Sequence, residues 1–223
     1  MWNKGWDDLF SKRDWGKYPN EELVRFVSKK YKNKNFNNSL TVLEVGCGVG
    51  ANLRFLAEQE FNVIGLDGSS VAISKATDYL NKFNLSAKYI CSDAISIDLP
   101  NNSVDLVLDI ECIYANSSLD SIKIISEIKR VLKPGGFFFS ITFSDEISGI
   151  ENAKTIDGTS NEYNNLVNTP LKSDYGLVRL CSYKDIEYIY GSLNINSIDW
   201  TMRTMQNQTS YVKEWVVVCE KIT

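Results

Sequence analysis

An α/β fold, with a mostly parallel sheet and an antiparallel hairpin at its end, is the class this 223-residue chain predicts. Three observations carry that prediction. Short apolar runs alternate with helically spaced segments between residues 40 and 143. The first run empties into a turn with glycine at alternate positions, Gly46, Gly48 and Gly50, directly before a helical segment. Two longer β-patterned runs, near 195–204 and 211–221, then close the chain. Alternation of this kind argues parallel strands with helices packed against them, and the closing pair adds an antiparallel edge.

Residues 1–39 precede the core. Asn20 is placed to cap a helix whose first turn holds Glu21 and Glu22 and whose last turn holds Lys29, Lys30 and Lys32, each charge matched to the helix dipole. Leu23, Phe26, Val27 and Tyr31 fall on one face of it. Strands are predicted near 40–45, 62–66, 87–91, 104–109 and 136–143, and helices near 51–59, 69–83 and 118–132. Residues 94–103 read as loop or a short helix. Ile122, Ile125, Ile128 and Leu132 form the apolar face of the last long helix. That helix stops at Lys133-Pro134-Gly135-Gly136, ahead of the apolar run Phe137 to Ile141. The stretch 145–180 is rich in Ser, Asn, Gly and Thr, and a loop this long in a compact domain is usually a lid or binding loop. A short helix near 182–192 precedes the hairpin. The expectation is a single domain: cap segment 1–39, core 40–144, lid or insertion 145–180, and a final helix and hairpin over 181–223.

The motif at 44–52 speaks to function. A strand, a bare glycine loop and a helix N-terminus make a cradle for the polar part of a nucleotide-like cofactor. Glu44 stands just ahead of the first glycine. A carboxylate there repels a pyrophosphate and welcomes a cationic ammonium or sulfonium. Asp67 ends the next strand about 20 residues after Gly46, where a ribose-binding acid falls in such units. Its carboxylate can accept from both ribose hydroxyls; the plainer reading is that Asp67 and Ser69 open the next helix as capping residues.

Glu44-x-Gly46-x-Gly48-x-Gly50 resembles the first motif of class I S-adenosylmethionine (SAM)-dependent methyltransferases more than the G-x-G-x-x-G of NAD enzymes. Cys91-Ser92-Asp93-Ala94, and Leu132-Lys133-Pro134-Gly135-Gly136 before the fifth strand, resemble further marks of that family, in the same order. The resemblance implies a Rossmann-like seven-stranded sheet ending in the hairpin. It implies cofactor contacts from Glu44, Gly46, Cys47, Gly48, Gly50 and Asn52, and from Asp67, Gly68 and Ser69. It also implies that Asp93 and Ala94 meet the adenine and that Asp109 lines the methionine end. Trp15-Gly16-Lys17-Tyr18-Pro19 resembles a segment that folds over the cofactor in small-molecule members, so Trp15 and Tyr18 are expected there, with a cation–π gain at the sulfonium. Trp2 and Trp6 are expected to fill core.

Bulk properties narrow the partners. A net charge of −4 gives no basic footprint, which argues against nucleic acid. Five scattered cysteines without a C-x-x-C pair fit free thiols in a reducing cytoplasm better than disulfides or zinc. The start Met-Trp-Asn-Lys-Gly-Trp-Asp-Asp is polar and acidic, unlike a signal peptide, and no apolar run is long enough for a membrane span. A cytoplasmic monomer or homodimer is expected. There is no histidine, so the commonest general base and metal ligand are missing, and metal-independent transfer is expected.

Methyl transfer from a sulfonium needs an aligned nucleophile about 3 Å from the methyl carbon, and a base only where the nucleophile must lose a proton. After the fourth strand the chain reads Asp109-Ile110-Glu111-Cys112-Ile113-Tyr114-Ala115-Asn116, where relatives often carry His; it also departs from the Asn-Pro-Pro-Tyr of exocyclic-amine methylases. Glu111 and Tyr114 are the candidates to touch substrate; otherwise they are a dipole-favoured helix start and a core tyrosine. The reading is a SAM-dependent methyltransferase acting on nitrogen or oxygen of a small polar metabolite. The alternatives are O-methylation of a sugar or surface-glycan precursor, a non-catalytic SAM-binding subunit, and an NAD-dependent oxidoreductase.

Overall fold

The computed structural model describes residues 3–13, 15–31, 39–171 and 176–223. Its strands, in chain order, are β1 (Thr41–Val45), β2 (Asn62–Asp67), β3 (Lys88–Cys91), β4 (Val104–Ile110), β5 (Leu132–Phe143), β6 (Glu162–Asn164), β7 (Leu177–Arg179), β8 (Asn194–Met205) and β9 (Ser210–Glu220). Seven of them form one sheet in the order β3-β2-β1-β4-β5-β9-β8. β1 to β5 pair in parallel, and β9 runs antiparallel to both β5 and β8. The predicted α/β class, with a seven-stranded mostly parallel sheet and an antiparallel finish, is the observed one. Chain order reverses between β1 and β4, and such a switch point opens a crevice at the carboxyl ends of the strands.

The helices are α1 (Gly5–Lys12), α2 (Glu21–Tyr31), α3 (Ala51–Glu58), α4 (Ser70–Asn81), α5 (Ser118–Val131) and α6 (Tyr183–Tyr190). They cover both faces of the sheet. On one, Ile124, Ile128, Ile186 and Tyr190 pack against Leu43, Val107, Phe138 and Val217. On the other, Leu23, Val27, Leu53 and Leu56 pack against Val42, Leu106, Leu108 and Phe139. Strands buried on both faces need apolar residues at every position, which is why they read as continuous runs. Asn20 caps α2, its Oδ1 accepting from the N–H groups of Glu22 and Leu23 at 2.9 and 3.3 Å. Trp2 and Lys32 lie outside the described residues.

Three elements differ from the sequence reading. α1 was not anticipated; its two-turn length gives too little periodicity, although Asp7, Asp8 and Lys12 suit its dipole. β5 begins at Leu132, ahead of the expected 136, because Leu132 pairs Val104 before the register shifts. The Gly135 N–H donates to Lys221 O at 2.6 Å, so the helix stop is itself tied to β9's end. The segment 145–180 is not a plain loop. It holds a 3-10 turn (Ile150–Asn152) and the β6–β7 pair, over a cluster of Phe143, Ile147, Tyr163, Leu166, Val178 and Leu180. Among the described residues no helix is long and apolar enough to cross a membrane.

Candidate active site

A cavity of about 630 Å³ lies at the carboxyl ends of β1 to β4, at the switch point. A larger recess of about 1040 Å³, at the opposite ends of β1 to β3, is lined by Thr41, Asn62 and Lys88 and gathers none of the motif residues. The chemistry belongs to the smaller space.

The glycine turn is shaped by what packs on it. Gly46 has φ +70°, and a Cβ there would fall 2.2 Å from Cys112 Sγ, so the loop after β4 can approach only a glycine. The N–H groups of Gly46 and Cys47 both donate to Leu66 O, at 2.7 and 3.0 Å. Asp67 binds the turn from β2: its Oδ2 accepts from Gly48 N at 2.9 Å and its Oδ1 from Ser69 N at 2.8 Å. Burial raises its pKa, against those two hydrogen bonds. Each carboxylate oxygen has a further lone pair, so Asp67 can still accept from a ligand.

Glu44 is 2% exposed. Its Oε1 accepts from Asn52 Nδ2 at 2.7 Å, while Asn52 Oδ1 accepts from Asn20 N at 3.0 Å and so latches the start of α2 to the motif. Glu44 Oε2 is buried without a hydrogen-bond partner. Burial pushes this carboxyl up to about 8, opposed by the Asn52 hydrogen bond and reinforced by the charges of Asp67 and Asp109. An orphaned buried acceptor on the wall of a cavity, beside a glycine cradle, suits a ligand that brings a cationic donor. That is a fit to the ammonium and sulfonium of SAM.

Of the residues predicted for the cofactor, Trp15, Tyr18, Glu44, Gly46, Cys47, Gly48, Asn52, Asp67, Gly68, Asp93 and Ala94 all line this cavity, as do Glu111 and Tyr114. Gly50, Ser69 and Asp109 do not. Gly50 sits at φ +83° as the N-cap of α3. Ser69 caps α4, accepting from Ala72 N at 3.1 Å and donating to Asp7 Oδ1 at 2.5 Å. Asp109 is wholly buried; its Oδ1 accepts from Cys112 N and Ile113 N and its Oδ2 from Ser140 Oγ at 2.6 Å. Asp109 therefore shapes the loop that carries Glu111 and Tyr114, where the sequence reading had it lining the methionine end.

That loop forms the far wall. Glu111 adopts φ +55°, a conformation non-glycine residues rarely hold, with its N–H donating to Ile141 O at 2.9 Å. Burial, and next the neighbouring Glu214 carboxyl, raise the Glu111 pKa well above the carboxylate range. Tyr114 packs edge-on to Phe143 at 4.7 Å, and burial raises its hydroxyl too. Behind the wall stands Arg179, fully buried, with Nε donating to Asn116 O at 3.2 Å. Glu162 Oε1 accepts from Ser118 N at 2.7 Å. Hence β6 and β7 brace the wall from outside. No described residue of 145–180 lines the cavity.

The N-terminal piece contributes to the cavity wall. Trp6, Phe10, Trp15 and Tyr18 line it, and Trp6 is thereby no core filler. Phe10 lies 3.6 Å from where a Cβ on Gly48 would be, and its ring stands 5.2 Å from that of Trp15. The sequence reading missed Phe10, Asn116 and Arg203 as lining residues. The pairing of Trp6 and Phe10, four apart, was a usable signal; Arg203, on β8, had none.

Residues 42–136 match the family model described as a methyltransferase domain. The sterol 24-C-methyltransferase of Saccharomyces cerevisiae is 41% identical over 100 residues, 44% of this chain and 26% of that enzyme. The match thus spans about a quarter of the length of that curated relative. Among solved structures, a SAM-dependent methyltransferase from Methanosarcina mazei superposes with a TM-score of 0.74 at 16% identity, over 92% of this chain and 99% of that one. A structure described under the conversion of a disulfide bond into a thioacetal group during echinomycin biosynthesis gives 0.71 at 23% identity, over 96% and 87%. Residues 42–136 thus match a methyltransferase domain, and the chain shares the fold of the solved SAM-dependent methyltransferase from Methanosarcina mazei.

Proposed function

We propose that this chain transfers a methyl group from SAM to a nitrogen or oxygen atom of a small polar metabolite, without a metal ion. When bound, SAM supplies a methyl carbon already activated on a sulfonium. The chain's part is to bind, orient and exclude water. Asp67 would hold the ribose hydroxyls, Asp93 and Ala94 the adenine edge, and Glu44 the methionine ammonium. The observation that carries this reading is the orphaned Glu44 Oε2, opposite a wall of polar side chains: Glu111, Tyr114, Asn116 and Arg203 line the same cavity.

Glu111 is the group to receive a proton from the acceptor. Its raised pKa makes it a stronger base than an exposed carboxylate, matched to an operating pH near neutral. Trp6, Phe10 and Trp15 would exclude water from the cavity.

The yeast relative's name specifies a carbon acceptor, which supports a second reading, C-methylation of a sterol-like alkene. Four polar side chains on one wall favour the polar acceptor. The test is a methyl-labelled SAM assay against amines, sugar and other hydroxyl compounds, and a sterol. Label on N or O, with turnover rising with pH above neutral and flattened in Glu111→Gln, is the expected result. Label on a sterol carbon would replace the reading. SAM binding without turnover on any acceptor would favour a non-catalytic subunit.

A further inference from the structure

β8 is the last strand of the sheet, and among the described residues nothing pairs with its outer edge. An open edge is a template for another strand, and proteins normally blunt it with lysine, proline or a bulge. The one irregularity in β8 lies at its start, between Ile195 and Ser197. From Ile198 to Met205 the register with β9 is unbroken, and the run Ile-Asp-Trp-Thr-Met-Arg-Thr-Met contains neither proline nor lysine. It carries two charges of opposite sign, Asp199 and Arg203, four residues apart and so on one face. Trp200 and Met202 share the other face, 56% and 46% exposed. These four residues are arranged symmetrically about Thr201.

We propose that the chain pairs with a second copy of itself through β8, antiparallel, about a two-fold axis at Thr201. In that register Asp199 of each copy faces Arg203 of the other, and Trp200 faces Met202, so every contact occurs twice, as an isologous interface requires. The register is specific. Moving the axis to Trp200 or to Met202 sets Asp199 opposite Thr201 or Met205 and loses both charge pairs. Opposite charges directly across a strand pair stabilise it and like charges oppose it. Arg203 also lines the cavity, with its guanidinium 3.8 Å from Glu214 Oε1. The partner subunit's Asp199 would therefore stand at the edge of the neighbouring copy's active site. This pairing is independent of which acceptor the enzyme methylates.

The experiment is the molar mass of the full chain in solution by light scattering, with circular dichroism to check the fold of each variant. The parent is expected to be a dimer. Asp199→Arg should be a monomer, because arginine then faces arginine twice, and Asp199→Arg combined with Arg203→Asp should restore the dimer. A monomeric parent, or a single charge reversal that leaves the dimer intact, overturns the proposal. Should the reversal variants fail to fold, cross-linking decides. Thr201→Cys in a Cys91→Ser background, which removes the exposed native thiol, should form a disulfide-linked dimer on mild oxidation. Ser197→Cys in the same background should not. Absence of the Thr201→Cys cross-link, or equal cross-linking at 197, would sink the assigned register.

Discussion

Glu44 holds a carboxyl whose pKa rises from 4.5 to about 8 on burial. The folded chain therefore keeps a proton there that the unfolded chain gives up. Its contribution to stability is complete below the unfolded value and is lost as pH rises toward 8. Asp109, raised to about 6, acts in the same direction over a narrower window. The melting temperature of the free protein should accordingly fall between pH 5 and pH 8 for these groups, and Glu44→Gln, which can still accept from Asn52, should flatten the fall. A thermal-shift series across that range, parent against variant, reads it directly; equal slopes would place the titration elsewhere. At Asp67 the expectation concerns the ligand. Asp67→Ala removes charge-assisted bonds to the ribose, a loss of about 1.5–3 kcal/mol, or roughly 10–150-fold in affinity. Calorimetry with SAM measures it, and unchanged binding would remove Asp67 from the site. Because Asp67 also holds Gly48 N and Ser69 N, Asp67→Asn separates loss of ligand contact from loss of loop shape.

At the scale of elements, the N-terminal piece is tied to the core at several points, among them Tyr79 Oη donating to Lys17 O at 2.7 Å. α1 meets α4 through Asp7 with Ser69, and through Lys75 Nζ donating to Phe10 O. Beyond it, Trp15 is 36% and Tyr18 86% exposed although both border the cavity. Large aromatic rings left in water beside a ligand site gain by moving onto the ligand. Residues 15–19 should thus gain hydrogen-exchange protection when SAM binds, on the pattern of lids that exclude water. Deleting residues 1–18 should leave a folded α/β core, since α2 and its Asn20 cap begin later, yet weaken SAM binding and abolish turnover. Unchanged protection together with an active truncated protein would make the segment plain packing.

For the whole molecule, the described residues hold no group of three His, Cys, Asp or Glu side chains converging as for a metal ion. Turnover is expected to survive EDTA; loss of activity that Mg²⁺ restores would overturn the metal-independent mechanism. The alternating strand and helix pattern, the glycine turn and the final hairpin were legible in the chain because each is a local property: periodicity, φ tolerance, burial on both faces of a strand. Much of the cavity wall was legible for the same reason, since its lining residues between Glu44 and Asn52, with Asp67, Asp93 and Ala94, sit where strands end. What only the tertiary structure decided is where side chains point once distant segments meet. Asp109 turns inward because three donors, from Cys112, Ile113 and Ser140, converge on it. Residues 145–180 brace the Tyr114 wall because Arg179 and Glu162 bond that loop from behind. Arg203 reaches the cavity because the antiparallel register sets its strand beside Glu214. Such encounters depend on long-range pairing, whose partners lie far apart in the chain and leave no mark in the local pattern of residues.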